Sequence, residues 1–287
     1  MVSVSTLAAI TVDGLAFGAS LALLGVGITL VYGLGEVLNL AIGAFAVIAA
    51  VSASLLTSEG VALPVAALAG LGLVGVFGLV IDRTLLSLVY RSDGEERILL
   101  GIFTTLGLAV LLEGVLVNVV SSRYSLPLGL PTIDIGTTAV TGTSVASIIV
   151  AAVVLLVLFA FLDRTFLGKA TRTIFQDERG AQLVGIDPRK IRTLVFVLSA
   201  VVAGLAGLLV AARSNVGVGD AFEFTTFALI VSIVGGVRSL VGAVAAGVVL
   251  GLVNTLANFF IGSYVATIIL FGAAIGFLLL RPEVMSS

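Results

Sequence analysis

Charge divides this chain. Residues 14–35, 37–58, 60–81, 135–162, 193–212 and 239–280 hold no Asp, Glu, Lys or Arg, and 98–122 is broken only by Glu113. About 20 residues of helix cross the hydrocarbon of a bilayer, so each run is long enough to span one, and the last is too long to span it once. The runs are apolar at successive positions rather than alternating, which disfavours a transmembrane barrel. A soluble domain carries about 25% charged residues. Here 10% are charged and 60% hydrophobic, with a mean hydropathy of +1.30. The fold class that follows is all-α: a polytopic transmembrane helical bundle of about eight or nine membrane segments.

Thirty-four glycines, with abundant Ala and Ser, point to helices packed at close range, because small residues let backbones approach. The chain has no cysteine and no histidine. That removes disulfides, thiolate metal sites and every His-based zinc, haem or proton-relay chemistry, and no cofactor is expected. Residues 1–10 lack the basic start of a cleavable signal peptide, so none is expected. No clean internal repeat is visible in the sequence, and residues 1–287 read as one transmembrane domain.

Positive charge sets the orientation. Arg83, Arg91 and Arg97 fall in one short loop, and residues 164–192 hold seven of the fourteen Lys and Arg. Placing both inside a cell (plasma or inner) membrane leaves 121–144 outside, with Pro127, Pro131 and several glycines in an exposed loop. The N-terminus then falls outside, the turn at 32–36 inside, and 214–223 outside. Residues 224–237 are short for a crossing and are expected to span or to re-enter. Asn254, Asn258 and Gly262 suggest a hairpin within 239–280, which puts Arg281 and the C-terminus on the cytoplasmic side.

The charged loop 164–192 carries helix signals. Asp177 is placed to cap a short helix, and Glu178 beside it favours the positive end of the helix dipole. Ala181, Leu183 and Val184 offer apolar contacts, and Gly185 suits the position just past the last turn. Asp187-Pro188 then restarts a helix, with Asp as the cap and Pro in the first helical position. Two roles are open to such an element. It lies on the headgroups, with its basic residues facing anionic lipid, or it docks a cytoplasmic partner.

Nothing in the sequence reads as an ATP site or an active site. Gly168-Lys169 fails as a phosphate loop, because Arg164 stands where the leading glycine belongs and Thr171 is one residue late. Without His or Cys, the usual nucleophile–base pairs cannot be built, and the chain is not expected to be an enzyme.

Residues 168–211, GKATRTIFQDERGAQLVGIDPRKIRTLVFVLSAVVAGLAGLLVA, resemble the permeases of branched-chain amino acid ABC importers. In that family a Gln-Asp…Ala…Leu-x-Gly-Ile cytoplasmic helix precedes a membrane helix containing Ala-Gly-Leu-Ala-Gly. Here those positions are Gln176, Asp177, Ala181, Leu183, Gly185 and Ile186, then Ala203 to Gly207. Leu30-Val-Tyr-Gly…Leu38-Asn39-Leu-Ala41-Ile-Gly43 is similar to the family's Val-Tyr-Gly…Ile-Asn-Phe-Ala-His-Gly. Gly235-Gly236…Ser239…Gly242-Ala243 is similar to its Gly-Gly-x-Gly-Ser…Gly-Ala. The size suits the shorter, H-type permease subunit.

The resemblance implies a subunit that imports a small polar solute, most simply a branched-chain or related amino acid, by ATP-driven alternating access. Sugar, urea or amide permeases of the same superfamily are the alternative, and a stand-alone secondary transporter is the rival of another class. The implied partners are a second permease subunit in a homo- or heterodimer, two cytoplasmic ATPase subunits, an extracytoplasmic solute-binding protein and the lipid bilayer, with no nucleic acid. Asp177, Glu178, Ala181, Leu183, Gly185 and Ile186 would form the coupling helix that sits on the ATPase. The chain departs from the family pattern at Ile42, where His is usual, and at Ala44, where an acidic residue commonly stands.

Asn39, Gly43 and Glu113 are the candidates for lining a path. Intramembrane acids are functional candidates by default, and Glu113 is the acid deepest in an apolar run. Against that, a polar group at a helix end, a packing glycine and an acid hydrated near the outer surface are ordinary structural features. Asn254 and Asn258 share a helical face, which a hairpin also explains, and Asp220 and Glu223 read as loop charges.

Overall fold

The computed structural model describes residues 4–280 apart from 93, 121–122 and 136–137. Helices dominate it: α1 (Val4–Gly35), α2 (Ile42–Ser58), α3 (Leu63–Ile81), α4 (Gly94–Val119), α5 (Gly142–Arg164), α6 (Phe166–Gln176), α7 (Glu178–Leu183), α8 (Pro188–Arg213), α9 (Asp220–Gly235), α10 (Leu240–Ile261) and α11 (Ser263–Leu280). α3 continues through a wider π-type turn at Asp82–Leu86 and ends with Ser87–Val89. Among the described residues, six helices are long and apolar enough to cross a membrane, and Ile42–Ser58 and Ser263–Phe277 are shorter apolar helices. The chain is a multi-pass helical membrane bundle.

α1, α2 and α8 form its centre. From Leu21 to Leu24 and from Ile42 to Val51 every residue is buried, as expected for helices that are apolar all round. α3, α4 and α5 form an outer ring. Leu68, Val76, Phe103, Leu156 and Val157 point away from the protein. In water such a surface is a liability, whereas against lipid tails it is the stable arrangement. Small residues bring α1 and α10 together: Gly18 lies on Val248, and Gly247 lies on Ala22. Hydroxyls add bonds between buried helices, Ser199 Oγ donating to the Gly27 carbonyl at 2.7 Å and Thr29 lying 3.0 Å from Ser232.

Charge separates the two faces of the bundle. The loop after α3 and the segment between α5 and α8 meet at one face, with Arg97 and Glu178 3.8 Å apart and Arg192 over Tyr90. The opposite face carries the segment between α4 and α5. The sequence pattern marks that segment as a plain loop, but it also holds a hairpin, β1 (Thr132–Ile135) and β2 (Thr138–Thr141), with Thr132 opposite Thr141 and Ile133 opposite Val140. Tyr124 pairs with Val216 there.

α9 settles the ambiguity over 224–237. At its start Asp220 is gripped by Arg123 at 2.7 Å, and just beyond its end Arg238 meets Glu36 on the basic face at 3.2 Å. It therefore runs between the faces rather than folding back. α10 and α11 break at Gly262, whose φ of +94° ends the first helix, so the expected hairpin sits where the sequence suggests. Arg281 lies outside the described residues.

The run 37–58 is not one helix. α1 extends to Gly35, Glu36 adopts φ +53°, and 36–41 crosses back into the bundle without helical structure. α2 begins only at Ile42, beside Gly27, about two turns before the end of α1.

Candidate functional site

Two places gather the residues singled out by the sequence. The first is the basic face around α7. Thr165 caps α6, its Oγ1 accepting from the Gly168 N–H at 3.0 Å. By sequence α6 falls in the charged loop, although apolar Phe166, Leu167, Ala170 and Ile174 follow helical spacing behind a Thr cap. Asp177 closes α6 by donating its N–H to the Thr173 carbonyl and opens α7 immediately afterwards. Its side chain makes no capping hydrogen bond, which corrects the expectation for that residue: a single extended residue joins two helices, and its backbone makes the turn.

The far end of α7 matches expectation closely. Gly185 has φ +82°, its N–H reaches the Gln182 carbonyl, and the Ile186 N–H reaches the Ala181 carbonyl, both at 3.0 Å. This is the paired-bond C-terminal cap that a left-handed residue permits. Asp187 then caps α8 by accepting from the Arg189 N–H at 3.0 Å, with Pro188 in the first turn.

α7 has an inner and an outer side. Ala181 is fully buried, whereas Leu183 is 89% and Val184 73% exposed. Glu178 faces inward and accepts a hydrogen bond from Arg192 at 2.5 Å. The Arg192 guanidinium lies 4.8 Å from the centre of the Tyr90 ring, a cation–π distance. Tyr90 packs on Gly35 at the end of α1. Burial, with Asp82 adding to it, pushes the Tyr90 hydroxyl above the usual tyrosine range, so the ring stays a neutral platform. Asp82 accepts from Thr193 of α8 at 2.5 Å. α7 is thereby tied to the basic ends of α1, α3, α4 and α8. The sequence marks Arg97 and Arg192 only as basic residues, because nothing along the chain announces contacts between residues as far apart as Tyr90, Arg97, Glu178 and Arg192.

The second place is the buried start of α2. Asn39 is fully buried. Its Oδ1 accepts from the Ala41 N–H at 3.1 Å, and its Nδ2 has no partner among the described residues. Thr105 of α4 accepts from the Leu40 N–H at 3.1 Å and donates to the Leu38 carbonyl at 2.8 Å. Thr225 of α9 accepts from the Gly43 N–H at 3.1 Å. These threonines satisfy backbone groups that water would otherwise serve, which a non-helical segment at membrane depth requires. Gly43 is a contact residue: a Cβ there would overlap the carbonyl oxygen of Ala221. Beside this segment lies a cavity of about 250 Å³, lined by Leu40, Ala44, Val110, Glu113, Thr225 and Thr226 among others. Glu113 thus comes to the same place as the neighbours of Asn39 and Gly43.

The family model "Branched-chain amino acid transport system / permease component" matches residues 10–281. The chain belongs to this permease family. It is 28% identical over 290 residues to the high-affinity branched-chain amino acid transport system permease protein BraD of Pseudomonas aeruginosa, covering 94% of this chain and 92% of that one. It is 24% identical over 293 residues to LivH, the protein of the same description from Escherichia coli (strain K12), again covering 94% and 92%. A shorter similarity, 34% over 91 residues, joins it to LivM of the same organism, also described as a permease protein of that system, covering 31% of this chain and 21% of that one. The matched family is one of transport permeases.

Proposed function

We propose that this chain is the membrane subunit of an ATP-driven importer for branched-chain or related amino acids, with α7 as the element that receives force from an ATPase subunit. The observation that carries the reading is the two-sidedness of α7. It offers Leu183 and Val184 to an outside partner, while Glu178 fixes it to Arg192 at the foot of a central membrane helix. Exposed apolar side chains on a rigid helix suit a protein groove, and a helix made only to rest on lipid headgroups has no need of that anchor.

The basic face is cytoplasmic in this reading, because positive charge is retained inside. The N-terminus is then outside, and two ATPases would act from the side of α7. A second permease, homologous or identical, would complete the path, and a solute-binding protein would load it from the opposite face. All of these residues belong to one transmembrane domain. The cavity beside 36–41 is the candidate path segment, with Glu113 as its charged group and with Leu40 and Ala44, the neighbours of Asn39 and Gly43, on its wall. Displacement of α7 would reach it through Arg192, Tyr90 and the end of α1.

Extraction of the native protein in mild detergent tests this reading. An ATPase subunit is expected to copurify, and an assembly that contains none would overturn it.

A further inference from the structure

A second and larger cavity opens on the face opposite α7. It has a volume of about 580 Å³ and lies where α1, α5, α8 and α10 end, within the range typical of small-molecule sites. Its lining holds one acid and one base, Asp13 of α1 and Arg213 of α8, together with Asn254 and Asn258 of α10. Among the described residues no salt bridge joins the two charges. Asp13 Oδ1 instead accepts from Ser144 Oγ at 2.5 Å, and Ser144 is in turn 2.8 Å from Thr141 Oγ1. Arg213 Nη2 donates to the Asp13 main-chain carbonyl at 3.0 Å. Each charge is therefore held by the protein in a fixed place, and each keeps hydrogen-bonding capacity for something else. A carboxylate has two acceptor oxygens and a guanidinium five donors.

Opposite charges that share one chamber without a salt bridge between them suit a ligand that carries both signs on groups attached to one carbon. A guanidinium recognises a carboxylate by paired hydrogen bonds, and a carboxylate takes an ammonium. Asn254 and Asn258, one helical turn apart, add neutral donors and acceptors, and Phe17 supplies an apolar wall. A sugar or urea has no charge for either group to meet, and leaving both unpaired would be unfavourable.

We propose that this chamber is a receiving site for a zwitterionic α-amino acid, its carboxylate on Arg213 and its ammonium on Asp13. The proposal rests on the importer reading above and gives its substrate a place and a mode of recognition. It predicts weak binding that precedes passage into the bundle.

The test uses the detergent-solubilised complex of this chain with its permease and ATPase partners, without the solute-binding protein, and saturation-transfer NMR with leucine as the probe. Wild-type complex is expected to transfer saturation to leucine. Leucinol, which lacks the carboxylate, and 4-methyl-2-oxopentanoate, which lacks the ammonium, are expected to bind at least tenfold more weakly. Asp13→Asn, nearly isosteric and able to keep the Ser144 bond, and Arg213→Gln are each expected to weaken leucine at least tenfold. Asn254→Ala, which leaves both charges in place, serves as a milder second variant, with a loss of about threefold expected. Leucine binding that is unchanged in all three variants, or equal binding of leucinol, would overturn the proposal while leaving an importer that takes up leucine in proteoliposomes. If the wild-type importer moves a sugar or urea and no amino acid, the substrate reading and this proposal fall together.

Discussion

Glu178 accepts a hydrogen bond from Arg192 at 2.5 Å while the same guanidinium lies over the Tyr90 ring at 4.8 Å. One arginine therefore joins the short helix α7 to the ends of three membrane helices. The Arg192 side chain is 7% exposed and that of Glu178 32%, so the pair is screened less than a surface ion pair. Charge-assisted hydrogen bonds of this kind contribute about 1.5–3 kcal/mol.

Glu178→Gln is accordingly expected to lower the melting temperature of the purified assembly by an amount equivalent to about 2 kcal/mol and to slow uptake. Arg192→Lys keeps the charge but loses the planar stack and the forked donors, and is expected to fall between wild type and Arg192→Ala. A double-mutant cycle of Glu178→Gln with Tyr90→Leu measures whether the three groups act together. Strict additivity would show that α7 is not tied to α1 through this arginine.

The two aspartates that flank α7 should behave differently. Asp187 makes a capping bond and Asp177 does not. Asp187→Ala is expected to destabilise by about 1 kcal/mol, the ordinary value of an N-cap, and Asp177→Ala by much less. Thermal unfolding followed by circular dichroism separates the two, and equal losses would contradict the cap assignments.

Gly185 has φ +82° and open space where a Cβ would stand. The strain of Gly185→Ala is thus conformational rather than steric, about 1–2 kcal/mol, and Gly185→Asn should be better tolerated because Asn visits the left-handed region. Uptake activity ranked Gly, Asn, Ala is the expected outcome. An Ala variant that matches wild type in stability and uptake would remove the role given to this cap.

Thr105→Val removes the acceptor for the partly buried Leu40 N–H and should cost about 1 kcal/mol, the low end of the penalty for an unsatisfied buried group. Gly43→Ala is expected to be worse, because its Cβ meets backbone on α9 rather than a movable side chain. Both are checked by the yield of monodisperse protein after extraction. Normal yield and stability for Gly43→Ala would mean that α2 and α9 pack less closely than described.

Much of the bundle was legible in the sequence, because a bilayer enforces simple rules. Uncharged runs gave the membrane helices, and Arg83, Arg91, Arg97 and 164–192 gave a common face. Gly185 and Asp187-Pro188 announced the ends of α7 and α8 through local backbone chemistry. The break at 36–41 was hidden, since its apolar residues look the same whether a run is helical or extended, and only Thr105 and Thr225 from distant helices make the extended form tolerable. Asp13 and Arg213 were hidden for a similar reason: each sits at the end of its own apolar run, where charge is ordinary, and only the packing of α1 on α8 and α5 brings them to one chamber.

The central claim is that α7 meets an ATPase, and site-specific cross-linking tests it most directly. The chain has no cysteine, so Leu183→Cys introduces a single thiol at an exposed position of α7. Treatment of the native assembly with a short thiol-to-amine cross-linker is expected to join this position to the ATPase subunit. Leu156→Cys, on the outward side of α5, is expected to give no such product. An assembly in which the ATPase is present but position 183 never cross-links to it would contradict the claim.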